Sequence, residues 1–172
     1  VVNGRGEGAV KVAVASLKTA EADAMGVVGD CTQAADVDYL RQQTERLMGT
    51  TDLLFAFVGA SGRYPNTAEM SEADWRKVVD ENLTATFLAI RCFLPGMIDR
   101  GRGSIVTMAS ASARAPIGGS SPYAAAKAGV IALTHQVAAE VAKHGIRVNC
   151  VSPSGTMSSE RQSQLSPDAL ER

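Results

Sequence analysis

Apolar residues along this chain fall into short continuous runs separated by stretches with helical spacing. The runs at 1–3, 26–29, 52–58, 104–109 and 147–151 have the length of strands. Between them, apolar positions recur at three and four over about 7–19, 35–48, 71–100 and 121–144, which predicts four helices. Strands that alternate with helices argue for a parallel sheet covered by helices on both faces. Ile105, Val106 and Met108 stand almost without a break, as a strand buried on both sides requires. Along 71–100, Trp75, Val78, Val79, Leu83, Phe87 and Ile90 form the stripe expected to face the sheet. Leu88, Phe93 and Met97 then leave apolar surface on other faces of that helix. Gly101-Arg-Gly103 and Lys143-His-Gly145 read as helix stops, because glycine enters the left-handed conformation freely. No internal repeat or low-complexity linker interrupts the pattern, so residues 1–172 read as one domain.

Composition narrows the function classes. The net charge is −1 and the basic residues are scattered, so no electrostatic footprint for nucleic acid is present. No apolar run approaches about eighteen residues, and the chain does not open on a charged-then-apolar leader; it reads as soluble and cytoplasmic, without a membrane partner. Cys31, Cys92 and Cys150 are odd in number and far apart, with no C-x-x-C. That pattern fits free, mostly buried thiols in a reducing compartment and points to no metal site.

The chemistry concentrates in Tyr123-Ala-Ala-Ala-Lys127, at the start of the last predicted helix. A free tyrosine, with a pKa of about 10, is a weak acid–base catalyst at neutral pH. A lysine four residues on stands one turn away on the same face. Its ammonium favours the phenolate and lowers the tyrosine pKa, which suits proton transfer at a carbonyl or alcohol oxygen. Taken alone the pair also reads as a half-buried core tyrosine beside a snorkelling lysine. Ser110 stands thirteen residues before Tyr123, and Asn82 twenty-eight before Ser110.

Asn82, Ser110, Tyr123 and Lys127, with Asn149 and Pro153 following, resemble the short-chain dehydrogenase/reductase family over 1 to about 153. The look is closest to its 3-oxoacyl-acyl-carrier-protein reductases. The resemblance implies a doubly wound, Rossmann-like α/β sheet and hydride transfer between NADPH and a carbonyl or secondary alcohol. A non-catalytic dinucleotide-binding or regulatory homologue is the rival reading. By the same resemblance Tyr123 is the proton donor, and Lys127 both tunes it and bonds the nicotinamide ribose. Ser110 donates to the substrate oxygen, with Ser112 as the alternative register. Asn82 holds a water that links Lys127 to solvent; its other reading is a helix-interior asparagine bonded to its own backbone.

Cofactor choice in the family is made at the end of the second strand, where members preferring NAD carry an acidic residue. Gly4 and Arg5 stand there, so no carboxylate repels a 2′-phosphate and a guanidinium is available to it. The implied cofactor is NADP, with NAD less favoured; an uninvolved surface arginine is the alternative. Asp30 and Cys31 match the pair that touches adenine. Ala56-Phe57-Val58-Gly59 replaces the usual N-N-A-G, leaving Ala56 and Gly59 beside the adenosine. Pro153-Ser154-Gly155 replaces P-G, with Pro153 and Thr156 toward the carboxamide or pyrophosphate.

The family's first strand and its glycine-rich turn have no counterpart, unless Asn3-Gly4-x-x-x-Gly8 is read as that turn. Val10 at its third glycine, and the stretch from Arg5 to Asp30, fit a second strand instead. Residues 1–172 therefore read as part of a longer polypeptide, lacking the central strand, with 159–172 beginning a substrate-covering lid. The implied partners are a small carbonyl substrate, including one carried on acyl-carrier protein, and further copies of the chain. A homodimer or homotetramer would form through the 71–100 and 121–144 helices.

Overall fold

The computed structural model describes residues 1–116 and 120–154. Five strands alternate with helices: β1 Val2–Gly4, α1 Glu7–Thr19, β2 Gly26–Val28, α2 Ala34–Met48 and β3 Leu53–Ala56. They are followed by α3 Glu72–Val79, α4 Ala85–Arg100, β4 Gly103–Met108, α5 Ser121–Val141 and β5 Ile146–Val151. All strand pairs are parallel, as the alternation with helices predicts. They form two separate sheets, β1-β2 and β3-β4-β5.

β1 pairs with β2 and not with β3. A first strand bearing the glycine-rich turn would have neighbours on both sides, so the Gly4–Gly8 reading is set aside. The free edges of β1 and β3 instead border a groove of about 450 Å³, lined by Val2 and Asn3 on one side and Leu53 to Val58 on the other. β3 is shorter than the sequence pattern suggests: Asp52, Phe57 and Val58 lie outside it.

Helices bind the two sheets together. α1 packs on β1 and β2, and α2 reaches from β2 to α4. At that junction the Cys92 thiol donates to Asp38 Oδ1 (3.2 Å) and to the Val37 carbonyl (3.5 Å). Burial and then Asp38 push this thiol up to about 11, so it stays protonated and inert at neutral pH. All three cysteines are free, but half-buried rather than mostly buried, because each sits at an element edge or helix flank.

One face of the three-stranded sheet carries the core. Ile105, Ile146 and Val148 meet Ile90, Met97, Val137 and Val141 from α4 and α5. The alternate residues of β3 look the other way: Leu53 and Phe55 are each 61% exposed, so that face has no cover among the described residues. The two expected helix stops form as glycines in the left-handed region, Gly101 (φ 65°) and Gly145 (φ 71°). They also abut, since a Cβ on Gly145 would come within 2.8 Å of the Gly101 carbonyl.

The long helix expected over 71–100 is interrupted. Ser71 caps α3 by accepting from the Asp74 N–H at 3.0 Å, but residues Asp80–Thr84 form a π turn before α4 begins. The buried face also differs from the expected stripe. Val78, Asn82, Ala85, Thr86, Ala89, Ile90, Phe93 and Met97 are buried, whereas Trp75 (40%) and Phe87 (44%) are exposed. Small and polar residues make up half of that buried face, so large apolar side chains alone place the stripe about one residue out of phase. Met97, with no exposed surface, is a central core residue. Met97→Ala is expected to lower unfolding free energy by about 2–5 kcal/mol and Phe87→Ala by no more than about 0.5 kcal/mol. Urea denaturation of the two variants decides between these assignments of the helix faces, and the reverse order would restore the original stripe.

Candidate active site

α5 opens with Pro122 in its first turn, where the missing N–H is of no consequence. Tyr123 and Lys127 follow one turn apart. Lys127 is only 3% exposed, and its Nζ donates to the carbonyls of Val58 (3.1 Å) and Met108 (2.9 Å). An ammonium has three donors, so one remains. The Nζ also lies 5.8 Å from the centroid of the Tyr123 ring, within cation–π range. Burial lowers the Lys127 pKa to about 8, with Cys150 acting in the opposite direction. The group therefore stays largely charged at neutral pH, and Tyr123 is half-buried beside it.

Asn82 approaches the same loop from the other side. It sits in the π turn with no exposed surface. Its Nδ2 donates to the Val78 carbonyl (2.9 Å) and to the Ala60 carbonyl (3.1 Å). Its own carbonyl accepts from the Thr86 hydroxyl at 2.7 Å. Asn82 Oδ1 is buried without a hydrogen-bond partner among the described residues, and such an acceptor calls for a donor. Between Val58 and Ala60, Gly59 has φ 111°, and a Cβ there would run into Asn82 Oδ1. The loop at the end of β3 is thus gripped by Lys127 at Val58 and by Asn82 at Ala60.

Ser110 follows β4 and caps the short turn Ala111–Ala113, accepting from the Ser112 N–H at 3.2 Å. Its hydroxyl donates to Ser112 Oγ at 3.1 Å, so both candidate serines share one spot. That turn packs against α5. It is tied to the end of β5 by Ala109 N–H to the Val151 carbonyl (2.8 Å) and Ala111 N–H to the Pro153 carbonyl (2.9 Å). Asn82, Ser110, Tyr123, Lys127 and Pro153 therefore belong to elements that meet at the carboxyl ends of β3, β4 and β5.

A second pocket, of about 220 Å³, lies at the carboxyl ends of β1, β2 and β3. Arg5, Asp30, Cys31 and Gly59 line it, together with Asn3, Gly4, Thr32, Phe57, Val58 and Glu81. Ala56 does not; it is buried at the end of β3 and borders the groove instead. Thr156 lies outside the described residues, as do the residues assigned to a lid. Asp30 Oδ1 accepts from both the N–H and the hydroxyl of Thr32, each at 2.9 Å. The Thr32 N–H is the main cause that holds the Asp30 pKa below its ordinary value, and Arg5 contributes. The Cys31 thiol donates to Asn3 Oδ1 at 3.0 Å, and burial raises its pKa. Asn3 Nδ2 in turn bonds the carbonyls of Val27 (3.0 Å) and Gly29 (3.3 Å), pinning the ends of β1 and β2 together.

The Arg5 guanidinium, expected to be available to a 2′-phosphate, already has a partner. Its Nη1 donates to Glu81 Oε1 at 3.2 Å. Sequence reasoning assigned Glu81 and Asn3 no role. Seventy-six positions separate Arg5 from Glu81, and no local pattern signals such a pair. A pocket at the carboxyl ends of parallel strands, with a cation and a carboxylate acceptor, fits the adenosine end of a dinucleotide. Among the described residues no group of three or more His, Cys, Asp or Glu could hold a metal ion, and no helix is long and apolar enough to cross a membrane.

Residues 1–169 match the family described as short chain dehydrogenase, and the chain belongs to that family. Among curated proteins, it is 43% identical over 129 residues to the (5R,7aS)-5-hydroxy-7a-methyl-1-oxo-2,3,5,6,7,7a-hexahydro-1H-indene-carboxyl-CoA reductase of Mycobacterium tuberculosis. That match covers 74% of this chain and 49% of the relative. Among solved structures, an NAD+-bound xylitol dehydrogenase superposes with TM-score 0.87 at 26% identity, covering 94% of this chain and 63% of the other. A gluconate 5-dehydrogenase from Burkholderia cenocepacia in complex with NADP and tartrate gives TM-score 0.85 at 26% identity, covering 98% and 66%. The chain thus spans between 49% and 66% of the length of these proteins.

Two expectations come from this geometry. Gly59→Ala should lower stability by about 1–3 kcal/mol from backbone strain alone, before the collision with Asn82 is counted. Pairing it with Asn82→Ala should leave the strain and remove the collision; urea denaturation of the single and double variants reads both, and a fully stable single variant would show that the loop is not clamped. The second concerns Lys127. With its folded pKa at about 8 and the unfolded value at 10.5, the unfolded state holds more protons between those limits. Stability therefore rises with pH across that window, and the burial penalty is complete below pH 8. Relative to Lys127→Met the gain should be on the order of 3 kcal/mol by pH 10.5. Parallel unfolding curves of the two proteins across that range would contradict it.

Proposed function

We propose that this protein is an oxidoreductase that moves hydride between NADPH and a carbonyl or secondary alcohol. The observation that carries the reading is the buried Lys127 ammonium, bonded to two backbone carbonyls and 5.8 Å from the Tyr123 ring. A buried cation that close to the ring stands where proton transfer between the Tyr123 hydroxyl and a carbonyl or alcohol oxygen would take place. In the reductive direction Tyr123 gives its proton to the substrate oxygen, and in the oxidative direction it takes one. Ser110 holds that oxygen by a hydrogen bond, for which its hydroxyl proton turns away from Ser112 Oγ. Asn82, with its unpartnered Oδ1, accepts from a water that returns protons to Lys127.

When bound, the nicotinamide dinucleotide supplies or accepts the hydride. Asp30, Cys31 and Gly59 would hold its adenosine end, Arg5 its 2′-phosphate, and Lys127 the nicotinamide ribose. Pro153 would lie on the carboxamide side. Support for NADP rather than NAD is the cation at Arg5 and the absence of a carboxylate at Gly4. Solved relatives hold one cofactor or the other.

For substrate we propose a 3-oxoacyl thioester or a related ketone. The Mycobacterium tuberculosis relative, whose name specifies a CoA-linked substrate, supports the thioester class; delivery on acyl-carrier protein follows from the overall likeness to that branch of the family. Exposed Trp75 on α3 and Phe87 on α4, with the small residues of α5, support pairing of these helices between copies in a homodimer or homotetramer.

Loss of NADPH fluorescence with a panel of β-ketoacyl thioesters and simple ketones tests the activity. Tyr123→Phe should lower turnover by at least about a hundredfold while NADPH still binds. Lys127→Ala should lose both turnover and affinity. Near-normal turnover in Tyr123→Phe would end the tyrosine assignment.

A further inference from the structure

Arg5 and Glu81 meet inside the pocket assigned to the adenosine end of the cofactor, and their settings are unequal. Glu81 comes from the π turn and precedes Asn82, whose wholly buried side chain is fastened to the Val78 and Ala60 carbonyls. The Glu81 side chain is 18% exposed, so burial as well as its anchored backbone limits where its carboxylate can lie. Arg5 follows the last residue of β1 and its side chain is 63% exposed. The acid is the more confined partner and the base the more exposed one, so the acid biases where the guanidinium rests. Among the described residues that line this pocket, Arg5 is the single cation, beside two carboxylates, Asp30 and Glu81. A 2′-phosphate can recruit Arg5 only by drawing it away from Glu81 or sharing it. A 2′-hydroxyl makes no such demand.

We propose that Glu81 is a specificity-determining residue: by engaging Arg5, it sets how strongly this protein separates NADP from NAD. This rests on the dinucleotide reading of the pocket and deepens it. Arg5 inclines the site toward the 2′-phosphate, and Glu81 holds that preference down.

The test uses adenosine 2′,5′-bisphosphate and 5′-AMP, which differ only in the 2′-phosphate, and reads their dissociation constants by calorimetry on the protein as expressed. Glu81→Gln keeps the size of the side chain and removes its charge. It should tighten the bisphosphate by about two- to fivefold, the scale of one solvent-exposed ion pair, and leave 5′-AMP within error. In Glu81→Gln with Arg5→Gln the gain should vanish. An unchanged ratio of the two constants in Glu81→Gln overturns the proposal, as does a gain that survives removal of Arg5. If neither nucleotide binds the parent or the variants, the dinucleotide reading of the pocket falls, and the role of Glu81 falls with it. A parent that prefers the bisphosphate while Glu81→Gln changes nothing leaves the dinucleotide reading standing and removes only Glu81.

Discussion

The buried Lys127 ammonium is the interaction on which the rest of the site depends. Its two carbonyl partners lie on different strands' ends, Val58 after β3 and Met108 at the close of β4. One side chain therefore sets the distance between two loops and a helix. From the opposite side Asn82 holds Ala60, and the residue between the two grips has no room for a Cβ. Gly59 is required here because its φ is positive and because Asn82 fills the space beside it. The backbone near the candidate chemistry is consequently fixed by side chains that are themselves candidates for the chemistry. Such overlap makes a site rigid, and it makes each of its residues hard to replace singly.

How far the sequence reveals all this depends on the kind of signal each residue carries. Tyr123 and Lys127 are legible because one helix brings them together, and Ser110 and Asn82 because they precede them at recognisable spacings. The parallel run of the strands follows from the alternation of elements, and the two helix stops from their glycines. The buried face of α3 and α4 is less legible, since Asn82, Ala85, Thr86 and Ala89 line it and hydropathy does not mark them as interior. The Thr107–Thr134 hydroxyl pair, buried at 2.7 Å, is hidden for the same reason. Contacts between distant elements leave no local trace at all. The Arg5–Glu81 pair and the hydrogen bonds of Asn3 exist only because the fold brings β1 against the loops after β2 and the π turn.

The division of the strands into two sheets explains where polar ties matter most. Among the described residues β1 and β3 each keep an unpaired edge along the groove between them, and no backbone ladder joins the two halves. Unpaired edges and the exposed Leu53 and Phe55 are features that proteins ordinarily cover. Among the described residues the halves are joined by α2 packing on α4, by the Cys92 thiol at that contact, and by Arg5 reaching Glu81. The last of these ties is exposed and weak as a source of stability. Its consequence lies in placement, since it draws a guanidinium to the lining of the second pocket.

The Lys127 ammonium also shows how stability and chemistry pull against each other in this chain. Removing a charge from water is unfavourable, and the pKa of about 8 records that burden. Two carbonyl acceptors are the compensation that keeps the group charged near neutrality. Were the lysine exposed, its pKa would return toward the ordinary value and the fold would gain stability. Its field at Tyr123 would then be screened by water, because charges interact far more weakly in a high dielectric. A buried ammonium that remains a cation thus keeps its field little screened at the Tyr123 ring, 5.8 Å away. The same burial that weakens the fold at neutral pH is what holds the cation in a low dielectric beside the Tyr123 ring.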